Sequence, residues 1–274
     1  MAVSPSESVT KNTNLARYSM NLGWLIIAVF LLPVMISVAR HSFSDNQQMS
    51  WWELRRDSSQ QAPAPDEYSD AVIQVYAARA ARWRGAFGVH TWIAIKPTGA
   101  KHYTRIEVMG YALRWSGSTV RIRRGSPDGY WFGSKPSLLR DIRGGAEVDQ
   151  MIERLISAAD NYPYDGQYRV WPGPNSNTFI ATLAREVPEL RLELPPTAVG
   201  KDYLPNGQFI AGAPSDSGVQ ISVRGLLGLM IAAEEGVEMN LLGLTAGIDF
   251  SPLAIKLPGM GRIGNNDYKA REIN

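Results

Sequence analysis

The sequence predicts an α+β protein: an antiparallel sheet with packed helices, preceded by one N-terminal transmembrane helix. Three features predict it. An uncharged apolar run lies near the N-terminus, segments of alternating apolar and polar residues follow a polar stretch, and two segments with apolar residues at helical spacing come after them. The chain has 274 residues, of which 45% are hydrophobic, and is long enough for one or two packed cores.

The apolar run covers residues 22–39, and Ser37 is its one polar side chain. As a helix it spans about 27 Å, close to the hydrocarbon thickness of about 30 Å. A cleaved signal peptide ending at the small residues 37–39 is the open alternative. The polar leader is long for a signal sequence, which favours a retained anchor. Basic residues flank both ends in nearly equal number, and as a working orientation we expect the larger part of the chain to be exported.

We predict five segments along the chain. They are a polar tail over 1–21, a transmembrane anchor over 22–39, a juxtamembrane linker over 40–69, a single globular domain over 70–264 and a C-terminal tail over 265–274. The linker is predicted because residues 57–68 are polar and rich in proline.

Within the globular domain, strands are predicted where apolar residues alternate and helices where they recur every three or four positions. The strands are expected at 70–78, 89–95, 103–111 and 120–124, and the helices at 146–162 and 177–187. Pro163 and Pro188 end the helices. Apolar runs after Pro195 predict further strands.

Composition limits the chemistry. Lysine and arginine number 28 against 26 acidic residues, and no long basic block occurs, so we expect no nucleic-acid partner. The chain has no cysteine, which excludes disulfides and thiolate chemistry, and only three histidines, so we predict no metal site and no cofactor. Glu234 and Glu235 are predicted to form a solvated acidic turn.

One set of residues points to catalysis. If residues 89–95 and 103–109 form a hairpin closed by a four-residue loop at 97–100, His90 lies opposite Glu107. A carboxylate beside an imidazole orients a catalytic histidine. The register is decisive, because a slip of two residues brings Arg105 or Met109 to that position.

Ser176 lies where a Pro-Gly-Pro-Asn turn leads into the second helix, so its hydroxyl is expected at a helix N-terminus. The order of a histidine-bearing strand before a nucleophile-bearing helix resembles permuted papain-like enzymes, such as lecithin retinol acyltransferase and relatives of the cell-wall peptidases. The resemblance implies Ser176 as nucleophile, His90 as base and Glu107 as the group that orients the base. Asn175 and Asn177 would contribute to binding.

This chain departs from that family because serine replaces the required cysteine, so activity does not follow from the resemblance. The simpler interpretation is that Ser176 or Asn175 caps the helix, which both residue types commonly do. His90 and Glu107 are then a half-buried polar pair in a sheet.

A second resemblance covers most of the chain from Trp51 to Gly264. Several long peptides together resemble the bacterial family catalogued as domain of unknown function 3750. They are WWELRRDSSQQAP, VYAARAARWRGAFGVHTWIAIKP, PDGYWFG, WPGPNSNTF, REVPEL, LPPTAVGKDYLP, EEGVEMNLLGL and KLPGMGRIG. The resemblance implies a bacterial source and assigns no activity.

Two functions remain open. The first is a non-catalytic, papain-like module that binds a protein or a ligand of the cell envelope. The second is a hydrolase or acyltransferase that uses Ser176 on an acyl or amide substrate. Either would lie in the bacterial inner membrane as a single-pass protein with a periplasmic domain.

Overall fold

The computed structural model describes residues 23–43 and 49–264. The predicted tails over 1–21 and 265–274 lie outside the described residues. The predicted α+β class is confirmed, because the structure contains two antiparallel sheets, packed helices and one apolar N-terminal helix.

The strands and helices are numbered in chain order. The strands are β1 (Ala71–Arg79), β2 (Val89–Lys96), β3 (Thr104–Val108), β4 (Val120–Arg124), β5 (Ser137–Gly144), β6 (Ile210–Gly212), β7 (Gly218–Val223), β8 (Leu227–Ala232), β9 (Gly236–Leu241), β10 (Leu244–Phe250), β11 (Leu253–Leu257) and β12 (Gly261–Gly264). The helices are α1 (Gly23–Ser42), α2 (Leu113–Ser116), α3 (Ala146–Asp160) and α4 (Ser176–Glu186). A π-helical turn lies within α1 at Ile27–Leu31, and 3-10 turns lie at Arg82–Ala86, Gly110–Ala112, Pro188–Leu190 and Pro205–Gly207.

The first sheet has the strand order β4-β3-β2-β1-β5 and packs one face against α3 and α4. Phe179, Leu183 and Val187, which recur at helical spacing in the predicted second helix, are fully buried in this core. The alternation of the strands places Ile93 and Ile95 in the same core. Burial of this apolar face stabilises the sheet and fixes the position of the α4 N-terminus beside β2.

The predicted register of the β2–β3 hairpin is wrong by two residues. Ile93 pairs with Ile106 and Ile95 with Thr104. Continuing this register places Met109, not Glu107, directly across from His90.

The connection between the two strands is longer than the predicted four-residue loop, because two contacts with distant segments hold it. The Gly99 amide donates to the Ser69 carbonyl at 2.8 Å. Tyr103 is buried, and its hydroxyl donates to the Pro63 carbonyl at 3.0 Å. Tyr103 therefore belongs to the connection, and β3 begins one residue later.

Part of the predicted linker covers the other face of the first sheet. Leu54 is buried, and the Asp128 carboxylate accepts hydrogen bonds from the Ser58 hydroxyl at 2.7 Å and the Gln61 amide at 2.5 Å. These bonds tie residues 54–62 to the segment between β4 and β5. They partly enclose this face of the sheet, which carries the aromatic side chains of Tyr76, Trp92 and Tyr103.

The second sheet is a meander with the strand order β12-β11-β10-β9-β8-β7-β6. The predicted solvated turn at Glu234 and Glu235 is wrong for Glu235, which is buried and accepts a hydrogen bond from the Ser215 amide at 3.1 Å. The turn folds inward over the β6–β7 connection, and this burial removes Glu235 from water.

α1 is long and apolar enough to cross a membrane, by length and composition. It also packs on the body of the protein. The Ser37 hydroxyl lies 2.6 Å from the Ala86 carbonyl and 2.8 Å from the Gly259 carbonyl, and His41 Nε2 lies 2.8 Å from the Arg82 carbonyl. The polar residue of the apolar run is thus satisfied by the protein.

Candidate functional site

A large cavity of about 930 Å³ opens at the end of the first sheet, where β2 begins and β3 ends. Its wall is dominated by aromatic side chains. Those that line only this cavity are Trp51, Trp83, Phe87, Tyr168 and Trp171. His90, Asn175, Ser176 and Asn177 also line it, so the predicted site residues apart from Glu107 meet at one cavity. A mostly apolar cavity with a few polar groups is the usual form of a small-molecule site.

His90 and Glu107 are in contact despite the changed register. His90 Nε2 lies 3.2 Å from Glu107 Oε2, a diagonal contact between neighbouring strands. Arg105 Nη2 donates to the same oxygen at 2.8 Å, and Arg123 Nη2 lies 3.6 Å from Glu107 Oε1. Both Glu107 and His90 are buried.

The charge states of this pair follow from their surroundings. Burial raises the pKa of Glu107, but the hydrogen bond from His90 and the charge of Arg105 outweigh it and hold that pKa at about 2. Burial lowers the pKa of His90 more than Glu107 raises it. Both lowered pKa values are consistent with a neutral His90 whose Nε2–H donates to an ionised Glu107.

The His90 ring is fixed by stacking. Its centroid lies 3.8 Å from that of Trp131, with the planes at 15°, and 5.9 Å from that of Trp92. The Arg105 guanidinium lies over the Trp92 ring at 4.4 Å. These rings belong to the sheet face opposite α4.

The N-terminus of α4 is built by Asn175, as the capping interpretation predicts. Asn175 Oδ1 accepts hydrogen bonds from the backbone N–H groups of Asn177 at 2.9 Å and Thr178 at 3.1 Å. The Asn177 side chain donates to the Val89 carbonyl at 3.0 Å and the Val199 carbonyl at 2.8 Å. Both asparagines are therefore held by the fold.

Ser176 and His90 line the same cavity but are not hydrogen-bonded within residues 23–43 and 49–264. Thr91 Oγ1 donates to Asn177 Oδ1 at 2.9 Å, so Thr91 faces α4. Successive side chains of a strand alternate, and His90 faces Trp131 on the other side. The catalytic roles of Ser176, His90 and Glu107 stay a prediction.

A smaller cavity of about 250 Å³ adjoins the first. Its charged lining consists of Arg56, Arg105, Arg123 and Glu107, which gives a net charge of 3 − 1 = +2. Four residues line both cavities: Met109, Tyr111, Trp131 and Phe132. The lining of the large cavity also includes Arg84 and Arg114 and no acidic residue, so both cavities are positively charged, and the large one is the more apolar.

Sequence reasoning missed Arg123 and Trp131. Two signals were available. The alternation of TRIEV and VRIRR places Arg105, Glu107 and Arg123 on one face, because Arg105 pairs with Arg123. The peptide PDGYWFG carries Trp131, although its fold over His90 depends on contacts distant in sequence. Among the residues that the structure describes, no cluster of three or more His, Asp or Glu side chains could hold a metal ion.

Residues 70–203 match the model of the family described as "Protein of unknown function (DUF3750)". The match is confined to this part of the chain. The DUF3750 region contains the first sheet, α3, α4 and all the predicted site residues, while α1, residues 49–69 and the second sheet lie outside it. No curated protein and no solved structure matches the chain.

Proposed function

We propose that this DUF3750 protein is a single-pass membrane protein that binds an anionic amphiphile. The aromatic cavity takes the apolar chain of the ligand, and Arg105 and Arg123 in the adjoining cavity take its anionic head group. The observation that carries the proposal is that a large, mostly apolar cavity and a smaller, more polar cavity with three arginines share four lining residues. Arginine is suited to bidentate recognition of phosphate or carboxylate.

The cavity lies close to the C-terminal end of α1. Residues 82–86 contact α1 through the Arg82 and Ala86 carbonyls, and Trp83 and Arg84 line the cavity. A membrane-spanning α1 places this end at the interface between lipid and water. Exposed aromatic side chains favour that level, and Trp83 is 62% exposed. An amphiphile from the bilayer would thus enter the cavity directly.

We place the protein in the inner membrane of a bacterium, with its folded domain in the periplasm. The bacterial source is supported by the resemblance of its peptides to those of a bacterial family. The Ser37 hydroxyl lies within hydrogen-bond distance of two distant carbonyls, which supports retention of α1, because cleavage would remove the donor that these carbonyls share.

Binding without catalysis is supported by the polar side chains of the large cavity, because they are already hydrogen-bonded within the protein. His90 donates its Nε2 proton to Glu107, and the amides of Asn175 and Asn177 donate to backbone carbonyls. These groups stabilise the cavity wall. A ligand would then be selected by the shape of the cavity and by the arginines.

The test compares two neighbouring arginines of β4. Both are exposed, but Arg123 lines the smaller cavity and Arg124 is not among its lining residues. We expect Arg123→Ala to weaken the binding of dodecyl phosphate to the full-length protein in nanodiscs roughly tenfold, because one charge-assisted contact is lost. Binding of dodecanol should not change. Arg124→Ala should leave both affinities unchanged.

Equal loss in the two variants would show that the arginines act only through general attraction of anions. No measurable binding of dodecyl phosphate to the unmodified protein would refute the proposed function.

A serine hydrolase acting on an ester or amide of such a ligand is the second candidate. Ser176 lines the large cavity at the N-terminus of α4, and its hydroxyl has no hydrogen-bond partner within the described part of the chain. A fluorophosphonate should label the protein and a Ser157→Ala control, and Ser176→Cys should keep a nucleophile. If labelling persists in Ser176→Ala, or never occurs, Ser176 is not the nucleophile.

A further inference from the structure

The second sheet has its polarity reversed relative to a sheet that packs on an apolar core. The registers assign every second residue to an outer face, and these residues are all apolar or glycine. Among the most exposed of them are Ile221, Leu229, Ile231, Phe250, Leu253 and Ile255. A charged residue is absent from this outer face throughout β6 to β12.

The inner face carries the polar residues instead. Lys256 Nζ donates to Glu238 at 2.8 Å and lies 2.7 Å from Glu193, and Lys201 is paired with Glu238. Lys256, Glu238 and Lys201 are at most 2% exposed. These buried charges neutralise one another, as buried ions must. The side of the sheet that faces the protein is therefore a buried polar layer, and the apolar side chains point away from it.

The outer face is uncovered over most of its extent. Ile221 is 48% exposed, Ile231 53% and Leu253 71%. Soluble monomers rarely expose a contiguous apolar patch of more than a few hundred Å². An apolar outer face with a polar inner face is the pattern of β-structure in contact with lipid.

We propose that the outer face of the second sheet contacts the acyl chains of the bilayer beside α1. The inference rests on the proposed membrane anchoring of α1. The surface consists of the outward side chains of β6 to β12.

α1 is continuous with this surface. Its π-helical turn, Ile27–Leu31, contacts β10, and Ser37 bonds to Gly259 in the turn between β11 and β12. On the outer face of β10, Ala246 is only 6% exposed, whereas Ile248 is 46% exposed. The end of the sheet nearest α1 is covered, and the remainder of the same face continues beside the helix.

The position of α1 favours lipid over a second copy of the chain. Sheets stack face to face at about 10 Å, and a helix with its side chains is about 10–12 Å wide. A helix lying on one end of the face prevents a second sheet from stacking flat against it. Fluid acyl chains can fill the surface on both sides of the helix.

The edge of the sheet is compatible with this location. A lipid-exposed sheet edge would leave backbone groups unsatisfied. Both edge strands are short, since β6 has three residues and β12 has four, and the Gly212 carbonyl of β6 accepts a hydrogen bond from Arg185 Nε at 2.8 Å. Strands of six or seven residues are about 20 Å long, close to one leaflet with its head groups.

The chain has no cysteine, so single cysteines can be introduced and labelled with a nitroxide without background. The full-length protein in vesicles of phosphatidylcholine would carry the label at Ile231→Cys on the outer face. Met35→Cys on α1 is the lipid reference, and Ser157→Cys on the exposed side of α3 is the water reference. Accessibility to oxygen and to a water-soluble nickel chelate is then compared.

We expect the label at position 231 to resemble that at 35, with high accessibility to oxygen and low accessibility to nickel. A label at 231 that resembles 157, while 35 lies in lipid, overturns the inference and leaves the anchor intact. Spin–spin broadening at 231 would indicate a second copy and also overturns it. If position 35 itself is exposed to water, the membrane anchoring in the proposed function fails.

Discussion

Glu107 contacts a residue of each cavity. Its carboxylate holds Arg105 at 2.8 Å and His90 at 3.2 Å, so it positions one group of each cavity. The sequence predicts that the two strands pair, but its register is wrong by two residues and does not account for the contact between His90 and Glu107. That contact forms across a diagonal rather than a direct pair, and a ring as long as imidazole bridges that separation.

The buried, neutral His90 predicts a pH-dependent stability. Its pKa is lowered in the folded state, so the unfolded state binds the proton first as the pH falls below about 6.5. Stability is therefore full above that value and declines below it, by at most about 1.4 kcal/mol per pH unit. Glu107, with a pKa of about 2, adds a further loss below about 4.5.

We expect the melting temperature to fall between pH 7 and pH 5, and His90→Gln to flatten this dependence. His102→Gln, at an exposed position, is the matched control and should keep the slope. Calorimetry across this range measures both. An unchanged slope in His90→Gln would show that other groups set the acid sensitivity.

At the level of the elements, α4 depends on its cap. Asn175 satisfies two amides of the first turn and donates to the Val170 and Val199 carbonyls at 3.0 and 2.9 Å. Asn175→Ala should lower the free energy of unfolding by about 2–4 kcal/mol, the sum of a lost cap and two further hydrogen bonds. Asn161→Ala, which removes one exposed bond at the end of α3, should cost less than about 1 kcal/mol. Similar losses in the two variants, measured by urea unfolding, would contradict this account.

Strands and helices are predictable here because their periodicity is local. The register of the β2–β3 hairpin is not, since Gly99 and Tyr103 are held by residues some thirty to forty positions earlier. The inward fold of Glu235 has the same origin, because its partner Ser215 belongs to another hairpin. Elements follow from the sequence more readily than the contacts that join them.

For the whole molecule, the second sheet shows the limit of reasoning from alternation. The runs after Pro195 predict strands, and strands form there. Alternation does not state which face is buried, and the usual assumption that apolar residues face inward fails for β7 to β11. The buried ion pairs of Glu238 and Lys256 become visible only when the strands are assembled.

The binding of an anionic amphiphile is tested most directly by photo-crosslinking. An alkyl phosphate with a diazirine near the end of its chain is presented to the full-length protein in nanodiscs of neutral lipid. We predict crosslinks to Trp83, Phe87 and Trp171 in the aromatic cavity, and their loss on addition of unlabelled alkyl phosphate. Crosslinks confined to α1 and the outer face of the second sheet, identical for a neutral alcohol of the same chain, would contradict the proposed function.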